Sequence, residues 1–394
     1  MKRTLRPIRL LPLLLAVSPP RALAESWYER IELNAFADAH LSHNGNNPKG
    51  TGDGFWTHPR ANGFSLAWAG LDLEYPARPV GATIELRAGP MAGIHGGGDA
   101  DLSLHYLKQA YASWKPCRLQ IDAGKFSTIF GYEVPEAHKN FNHTRGLVYY
   151  WAQPIFHTGL RASLDLDAVK LTALAVNGWD HTVDNNDGKS FGLQVGFTPD
   201  ERLSLFLGYL TGPEQDDTVT VTCAAGSAYS ASVGRCLPDV DAPGEQLDVS
   251  VDGANGRFRH LVDLFLEARP VSDLTLAFNL DLVFEAISAP EAGVREDHVK
   301  WFGMMAAARY RLAEWLAAAL RLEYLADPDG QLTGHERVDI YSGTLTLEVR
   351  AGKHLFVRAE SRLDIADRPL LPRGTSELAE AQVTTLLGVV ATTN

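Results

Sequence analysis

Residues 274–285 read LTLAFNLDLVFE, and large apolar side chains occupy every second position of this run. The intervening positions carry Thr275, Asn279, Asp281 and Glu285, together with an alanine and a valine. A period of two predicts a β-strand with one apolar face and one mixed, mostly polar face. The same alternation recurs in residues 82–88, 160–167, 316–324 and 355–364. The chain is therefore predicted to be all-β.

The predicted strands are unusually long. Many run to about 10–14 residues, whereas strands of globular sheets most often have about 5–6. A tilted strand needs about 9–11 residues to cross a bilayer. A soluble β-sandwich would share the period of two, but it would not usually need strands of this length.

The connections between strands are of two alternating kinds. Short turns with Pro, Gly and Asp, such as those expected near 199–200 and 312–314, follow longer segments such as 287–296. This layout predicts a closed antiparallel transmembrane β-barrel of about 16 strands, with long extracellular loops and short periplasmic turns. Only a closed sheet pairs every strand edge in lipid, so the polar faces must line the lumen.

Aromatic residues near the proposed strand ends support this interpretation. Examples are Trp114, Trp301, Tyr310 and Trp315. Outer-membrane barrels carry aromatic girdles at both membrane interfaces.

The amino terminus predicts export. Four basic residues precede the apolar run LLPLLLAV at 10–17, and Ala22-Leu23-Ala24 fits a small-x-small cleavage pattern. Residues 1–24 are therefore predicted to be a signal peptide, cut after Ala24, and residues 25–394 to form the barrel in the outer membrane of a Gram-negative bacterium. The segment 1–24 carries five basic and no acidic residues, so the net charge changes from −12 to −12 − 5 = −17. This acidic balance argues against a nucleic-acid partner.

The three cysteines fit an exported protein. Cys223 and Cys236 lie in the segment 211–256, which is predicted to be a long external loop. The two are candidates for a disulfide in an oxidising compartment, although their spacing alone does not establish the pair. No Cys/His array has zinc-site spacing, and neither a metal nor a cofactor is predicted.

Residues 124–133, GKFSTIFGYE, resemble a phosphate-binding loop only superficially. A Walker loop needs Ser or Thr after the lysine and Gly five positions before the first glycine quoted, whereas Phe126 and Leu119 stand there. The segment ends a predicted strand and leads into residues 127–155, which are rich in apolar side chains. A fully exposed loop would leave that apolar surface unburied.

We therefore expect residues 127–155 to fold into the lumen and narrow it. Glu133, Glu136 and His138 would then face the channel. The alternative is an external cap packed on its neighbours.

Several motifs resemble those of the outer-membrane β-barrel porin-2 family, the OmpL-like porins. They are GKFSTIFGYE at 124–133, NFN at 140–142, QPIFHTG at 153–159, NGWD at 177–180 and DNNDGK at 184–189. The resemblance implies a porin-like barrel in the outer membrane of a Gram-negative bacterium. It implies no defined substrate and no catalytic residues.

Charged residues of both signs fall on the polar faces of the predicted strands. The further candidates for the pore lining are Arg118, Arg161, Arg257, Arg259, Asp281, Arg321, Arg358 and Arg362. Separated charges in a narrow channel create a transverse field that biases permeating ions. The alternative is that these groups pair and merely solvate the wall.

The sequence thus predicts a porin for passive diffusion of small hydrophilic solutes or ions. The alternative is a plugged barrel whose long external loops bind a partner or ligand. An enzyme is not predicted, because no G-x-S-x-G elbow is present. The expected partners are outer-membrane lipid, small solutes, the barrel assembly machinery and two further copies in a homotrimer.

Overall fold

The computed structural model describes residues 27–49, 61–99, 102–223, 227–230, 235–238, 245–250, 254–289 and 294–393. The predicted signal peptide, residues 1–24, lies outside these ranges and stays a prediction. In the described part of the chain, no helix is both long and apolar enough to span a bilayer.

The strands in chain order are β1 (Glu32–Asn44), β2 (Gly63–Tyr75), β3 (Val80–Ala88), β4 (Leu107–Trp114), β5 (Leu119–Ser127), β6 (Phe156–Leu166), β7 (Val169–Val176), β8 (Ser190–Asp200), β9 (Leu203–Pro213), β10 (Thr218–Cys223), β11 (Ser227–Ser230), β12 (Arg235–Pro238), β13 (Glu245–Ser250), β14 (Phe258–Val271), β15 (Leu274–Ala289), β16 (Val294–Ala313), β17 (Leu316–Asp327), β18 (Val338–Arg350), β19 (Leu355–Ala366), β20 (Leu371–Arg373), β21 (Glu377–Ala379) and β22 (Ala381–Thr392). Two short helices are α1 (Pro90–Ile94) and α2 (Leu147–Trp151), and 3-10 turns lie at Trp27–Arg30, Gly97–Asp99, Ala137–Lys139 and Ala254–Gly256.

Sixteen of these strands form one closed antiparallel barrel, as predicted. The order is β1 to β9, then β14 to β19, then β22. The first and last strands close the cylinder, with Phe36 opposite Thr392 and Asn44 opposite Thr384. β9 pairs directly with β14, so β10 to β13 form two separate two-stranded sheets outside the barrel wall.

The alternation along β15 sorts its side chains as predicted. Asn279, Asp281 and Glu285 point inward and are at most 2% exposed. Leu276 and Phe284 point outward and are 39% and 48% exposed. Apolar side chains on the outside of a barrel are stable only against lipid, so this face is the membrane-facing one.

Exposed aromatic side chains mark the short-turn end of the outer surface. Trp114, Tyr310 and Trp315 are each about half exposed there. Rings in this position suit the interface between lipid tails and head groups. Trp301 is expected from its position near a strand end to join this girdle, but it points inward and is buried.

Two connections differ from their predicted positions. Pro199 and Asp200 still belong to β8, so this turn lies at 201–202. The expected loop at 287–296 is mostly strand, because β15 runs to Ala289 and Ile287 pairs with Asp297. Polar residues obscured the alternation here, yet backbone pairing continues beyond the apolar band, where side chains need not alternate.

Candidate functional site: the lumen and its inward loop

Residues 128–155 connect β5 to β6 and are called the inward loop here. Their backbone bonds to the far side of the barrel: the Gly131 N–H donates to Asp263 Oδ1 at 2.9 Å, and the Tyr132 N–H donates to Asn279 Oδ1 at 2.9 Å. Asp263 and Asn279 belong to β14 and β15, the tenth and eleventh barrel strands. The inward loop therefore crosses the lumen from the fifth strand.

A glycine makes the tight entry of this loop feasible. Gly131 has φ of 81°, a conformation that L side chains rarely adopt. A Cβ at this position would lie 1.6 Å from Gln153 Oε1. Phe130, just before it, is buried. The glycine thus lets the two ends of the inward loop pack against each other.

The apolar residues of the inward loop form a dry core inside the barrel. Leu147 and Val148 of α2 are buried against inward residues of the wall, among them Trp301 and Leu325. A Cβ on Gly303 would come within 3.2 Å of Val148 Cγ2, so the wall leaves room for the helix. Burial of this apolar surface explains why the inward loop packs against the wall rather than standing in water.

Glu133 anchors the centre of the inward loop. Its Oε1 lies 2.6 Å from Arg321 Nη1, and its Oε2 accepts the Gly146 N–H at 2.6 Å. Arg321 also pairs with Glu323, 2.9 Å away. Glu133 is only 8% exposed, and it also lines a cavity of the lumen beside the inward loop. Most of the side chain is buried because a desolvated arginine on β17 requires a carboxylate partner.

Glu136 is more deeply buried, at 1% exposed, and is not open to the channel. Its Oε1 lies 2.6 Å from both Arg87 Nη2 and Lys108 Nζ. Burial alone would raise the pKa of Glu136, but the charges of Lys108, Lys139 and Arg87 outweigh burial and hold that pKa well below its usual range. The carboxylate therefore stays ionised as a bridge from the inward loop to β3 and β4.

His138 is half-buried between two aromatic rings, Phe36 and Phe356, at centroid distances of 5.3 and 6.2 Å. Burial, together with the neighbouring Lys139 charge, lowers the pKa of His138 to about 4. The imidazole is thus neutral at neutral pH and serves as a packing group.

Two arginines of β19 hold the inward loop by its carbonyls. Arg358 donates to the carbonyl oxygens of Ala137, Asn140 and Asn142 at 2.5–3.0 Å. Arg362 donates to the Arg145 carbonyl at 2.9 Å. An arginine fork presents several donors in fixed geometry, so these side chains act as clamps.

Glu360, also on β19, accepts hydrogen bonds from backbone N–H groups of the inward loop. Its two oxygens receive the His143 N–H at 2.6 Å and the Thr144 N–H at 3.0 Å. The Thr144 hydroxyl donates to the same carboxylate at 2.5 Å. The inward loop is therefore fixed by both its donors and its acceptors.

A family model for beta-barrel porin-2, OmpL-like proteins matches residues 30–392. The chain belongs to this porin family. Members of such a family reside in the outer membrane of Gram-negative bacteria, and the inward loop crosses a porin lumen. No curated protein matches the sequence.

Solved structures with the same barrel are similar in fold. The outer-membrane expressed OmpT of Vibrio cholerae is 13% identical, covering 92% of this chain and 97% of its own, with a TM-score of 0.57. An anion-selective porin from Comamonas acidovorans is 12% identical, covering 92% and 99%, with a TM-score of 0.56. The outer membrane channel DcaP of Acinetobacter baumannii is 10% identical, covering 91% and 96%, with a TM-score of 0.56.

The porin lumen retains open space on the short-turn side of the inward loop. One cavity of about 390 Å³ lies under the loop and is lined by Glu133 and Glu267 among others. A second, of about 230 Å³, is lined by Lys115, Arg161 and Lys170 and by carboxylates. Both cavities touch Ile129 and Phe206, so they adjoin. Charges of both signs therefore border the free volume.

The other predicted lining residues fall into distinct environments. Arg161 faces the second cavity and pairs with Asp122 at 2.8 Å. Arg259 pairs with Glu285 at 2.9 Å and stacks over Trp179 and Trp301.

Three more predicted residues lie in different positions. Asp281 is fully buried and lies opposite Asp263 in the β14–β15 ladder. Arg118 lines the second cavity at its turn end, where its side chain is 61% exposed and lies 3.1 Å from Asp167. Arg257 is half-buried just before β14. The predicted set therefore includes wall anchors as well as groups that border open space.

One anchor of the porin lumen, Lys108, carries no sequence signal. Lys108 lies in β4, whose sequence LKQAYASW alternates poorly, so no pattern marked it as inward-facing.

Among the cysteines, Cys223 is disulfide-bonded. The side chain of Cys236 lies outside the described residues, so its pairing with Cys223 stays a prediction.

Proposed function

We propose that the chain is a narrow passive channel for small hydrophilic solutes or ions, with the inward loop as its constriction. The observation that carries this proposal is the crossing of the lumen by residues 128–155. The loop is clamped to the opposite wall by buried groups, chiefly Arg321, Arg358 and Glu360. Such clamping leaves a fixed and reduced aperture.

The free volume beside the inward loop supports a water-filled path. The adjoining cavities are bordered by basic side chains, Lys115, Lys170 and Arg161, and by carboxylates such as Asp165 and Glu267. Charges of both signs across a narrow path orient water and hydrated ions. The proposed mechanism therefore needs no energy input, only width and wall charge.

We infer a channel rather than an enzyme. The family is a porin family, and the charged side chains that would be the obvious chemical groups are engaged as loop anchors. Glu133, Glu136 and Arg321 each contact two or more partners.

Planar-bilayer recording tests the proposal. Purified wild-type barrel should give discrete conductance steps. Arg358→Gln should give larger or noisier steps, because it removes donors that hold three loop carbonyls. Arg311→Gln, at an exposed pair near the turns, is the matched control and should leave the steps unchanged. Absence of steps in both wild type and Arg358→Gln would contradict the channel.

The second candidate is a plugged barrel that binds a partner through its external loops. Two observations favour it: inward residues of the wall are largely buried at the level of the inward loop, and the segment after β9 carries two additional small sheets. Replacing residues 214–257 with a short turn should then abolish binding of that partner and leave the barrel folded. Conductance that survives this deletion favours the channel.

We further propose that residues 1–24 are removed after Ala24, and that residues 25–394 are inserted by the barrel assembly machinery into outer-membrane lipid as a homotrimer. Intact-mass measurement of protein from isolated outer membranes tests the first point, since the mature chain should begin at Glu25. Native mass spectrometry tests the second, and a single-chain mass would contradict it.

A further inference from the structure

Three metal-ligating side chains meet where the inward loop touches the first strand. Asp38 and His40 lie two residues apart on the inner face of β1, and His143 comes from the inward loop. One ligand atom from each can be chosen so that all three lie within 4.8 Å of one another. All three side chains are buried.

The site is shaped by a glycine. Gly388 of β22 lies opposite His40 across the closing strand pair. A Cβ at Gly388 would come within 2.4 Å of the His143 ring. The imidazole thus occupies the space that a side chain would otherwise fill, which brings it against β1.

The carboxylate of Asp38 is poorly satisfied for a buried charge. Its Oδ1 lies 3.3 Å from His143 Nε2, and its Oδ2 has no hydrogen-bond partner among the described residues. Asp38 is only 1% exposed. Buried carboxylates are normally hydrogen-bonded or coordinated, because an uncompensated charge in the interior is costly.

The ligand set suits a transition metal. Two imidazoles and a carboxylate are typical ligands of Zn²⁺ and similar ions, with bonds of about 2.0–2.2 Å. Two ligand atoms on one ion therefore lie at most about 4.4 Å apart, so a small inward movement of the side chains is enough. Arg145 places a positive charge nearby, which the Asp38 carboxylate offsets.

We propose that Asp38, His40 and His143 bind one divalent transition-metal ion of the Zn²⁺ class, which ties the inward loop to β1. The site goes beyond passage of solutes and does not depend on it. A metal here would add a tie from the inward loop to β1, beside the contacts that Arg358 and Glu360 of β19 already make with the loop.

Cobalt titration tests the proposal, because Co²⁺ bound by histidines absorbs visibly through d–d transitions. Tag-free barrel in detergent should bind one equivalent of Co²⁺, and Zn²⁺ should displace it. His143→Gln and His40→Gln should each weaken binding by at least about tenfold, since even second-shell changes at metal sites cost about 10–100-fold. His335→Gln, at an exposed histidine outside the barrel wall, is the matched control and should bind like wild type.

Folding of each variant is checked by its unheated gel mobility. If His143→Gln does not fold, His40→Gln and Asp38→Asn decide, because neither residue belongs to the inward loop. Wild-type protein that binds no Co²⁺ overturns the proposal. So does unchanged affinity in the folded ligand variants, which would place the bound ion elsewhere.

Discussion

Two arginine–carboxylate pairs, whose arginines lie in neighbouring strands, show that burial decides what an ion pair does for the structure. Arg311 near the turn end of β16 pairs with Asp273 at 2.5 Å, and the side chains are 49% and 43% exposed. Arg321 in β17 pairs with Glu133 at 2.6 Å, and the side chains are 1% and 7% exposed. The contact distances are nearly equal, yet only the second pair joins the wall to the inward loop.

The two pairs differ because one is exposed to water and the other is not. An exposed pair gains little because water screens it, typically about 0–1 kcal/mol. A buried pair gains little as a whole, but removing one partner leaves an uncompensated charge at a cost of about 3–5 kcal/mol. The barrel wall is held by its backbone ladder, so the buried pairs mainly fix where the inward loop lies.

The largest difference between the buried and the exposed pair is expected when each arginine is replaced by alanine. Arg321→Ala should weaken loop anchoring by about 3–5 kcal/mol because Glu133 and Glu323 lose their shared cation. Single-channel conductance should rise or become noisy. Arg311→Ala should change stability by about 1 kcal/mol or less and leave conductance as in wild type. Equal effects of the two on conductance would show that burial does not separate them.

The next largest effect is expected at acidic pH, through Glu136. Because the pKa of Glu136 is held below its usual range, it contributes stability that is present above a pH of about 4.5 and lost as pH falls below that value. The folded carboxylate itself is protonated only well below that value, so wild-type conductance should be steady from about pH 8 to 4.5 and change only as pH falls further.

Glu136→Gln isolates this response. The neutral amide leaves Arg87 and Lys108 undercompensated, at a cost of about 1–3 kcal/mol. The acid-dependent change in conductance should shrink in this variant. Asp273→Asn, which removes the exposed partner of Arg311, is the control. A full acid response in Glu136→Gln would assign the titration to another group.

A smaller effect is expected at His138. Its pKa of about 4 means that it carries no charge between pH 5 and 8. The lowered value also makes its neutral form a source of stability above the usual histidine pKa of about 6.5, lost as pH falls from there toward 4. His138→Gln should leave conductance unchanged from pH 5 to 8. A step near pH 6.5 that disappears in the variant would show the imidazole to be solvated.

The smallest effect lies outside the lumen constriction. Burial raises the pKa of Glu214 to about 7, although Arg259, Ser190 and the Trp179 N–H oppose the shift. Infrared difference spectra should show a carboxyl group titrating near neutral pH that is missing in Glu214→Gln. Because Glu214 contacts neither the inward loop nor the cavities described above, conductance should hardly change.

Much of the wall could be predicted from the sequence because lipid and lumen impose a strict period of two. The run at 274–285 identifies its inward and outward residues correctly, and short turns alternate with long loops. The apolar composition of 127–155 also predicted a loop that avoids water. These are local signals, carried by neighbouring residues.

The anchors were harder because their partners are distant along the chain. Glu133 pairs with Arg321, and Glu360 binds Thr144, each more than 180 residues away. Composition marked these side chains as polar and inward, which suggested water as their partner. Only the path of the inward loop shows that they meet each other.

The seam between β1 and β22 affects how easily the barrel wall can open. The seam joins residues 356 positions apart, Phe36 and Thr392. A chain that lacks its last strand therefore exposes two unpaired strand edges, those of β1 and β19. His143 of the inward loop contacts Asp38 on one side of this seam and lies over Gly388 on the other. The inward loop therefore bridges this seam from inside the barrel. We expect separation of β1 from β22 to require that the inward loop first detaches from both strands.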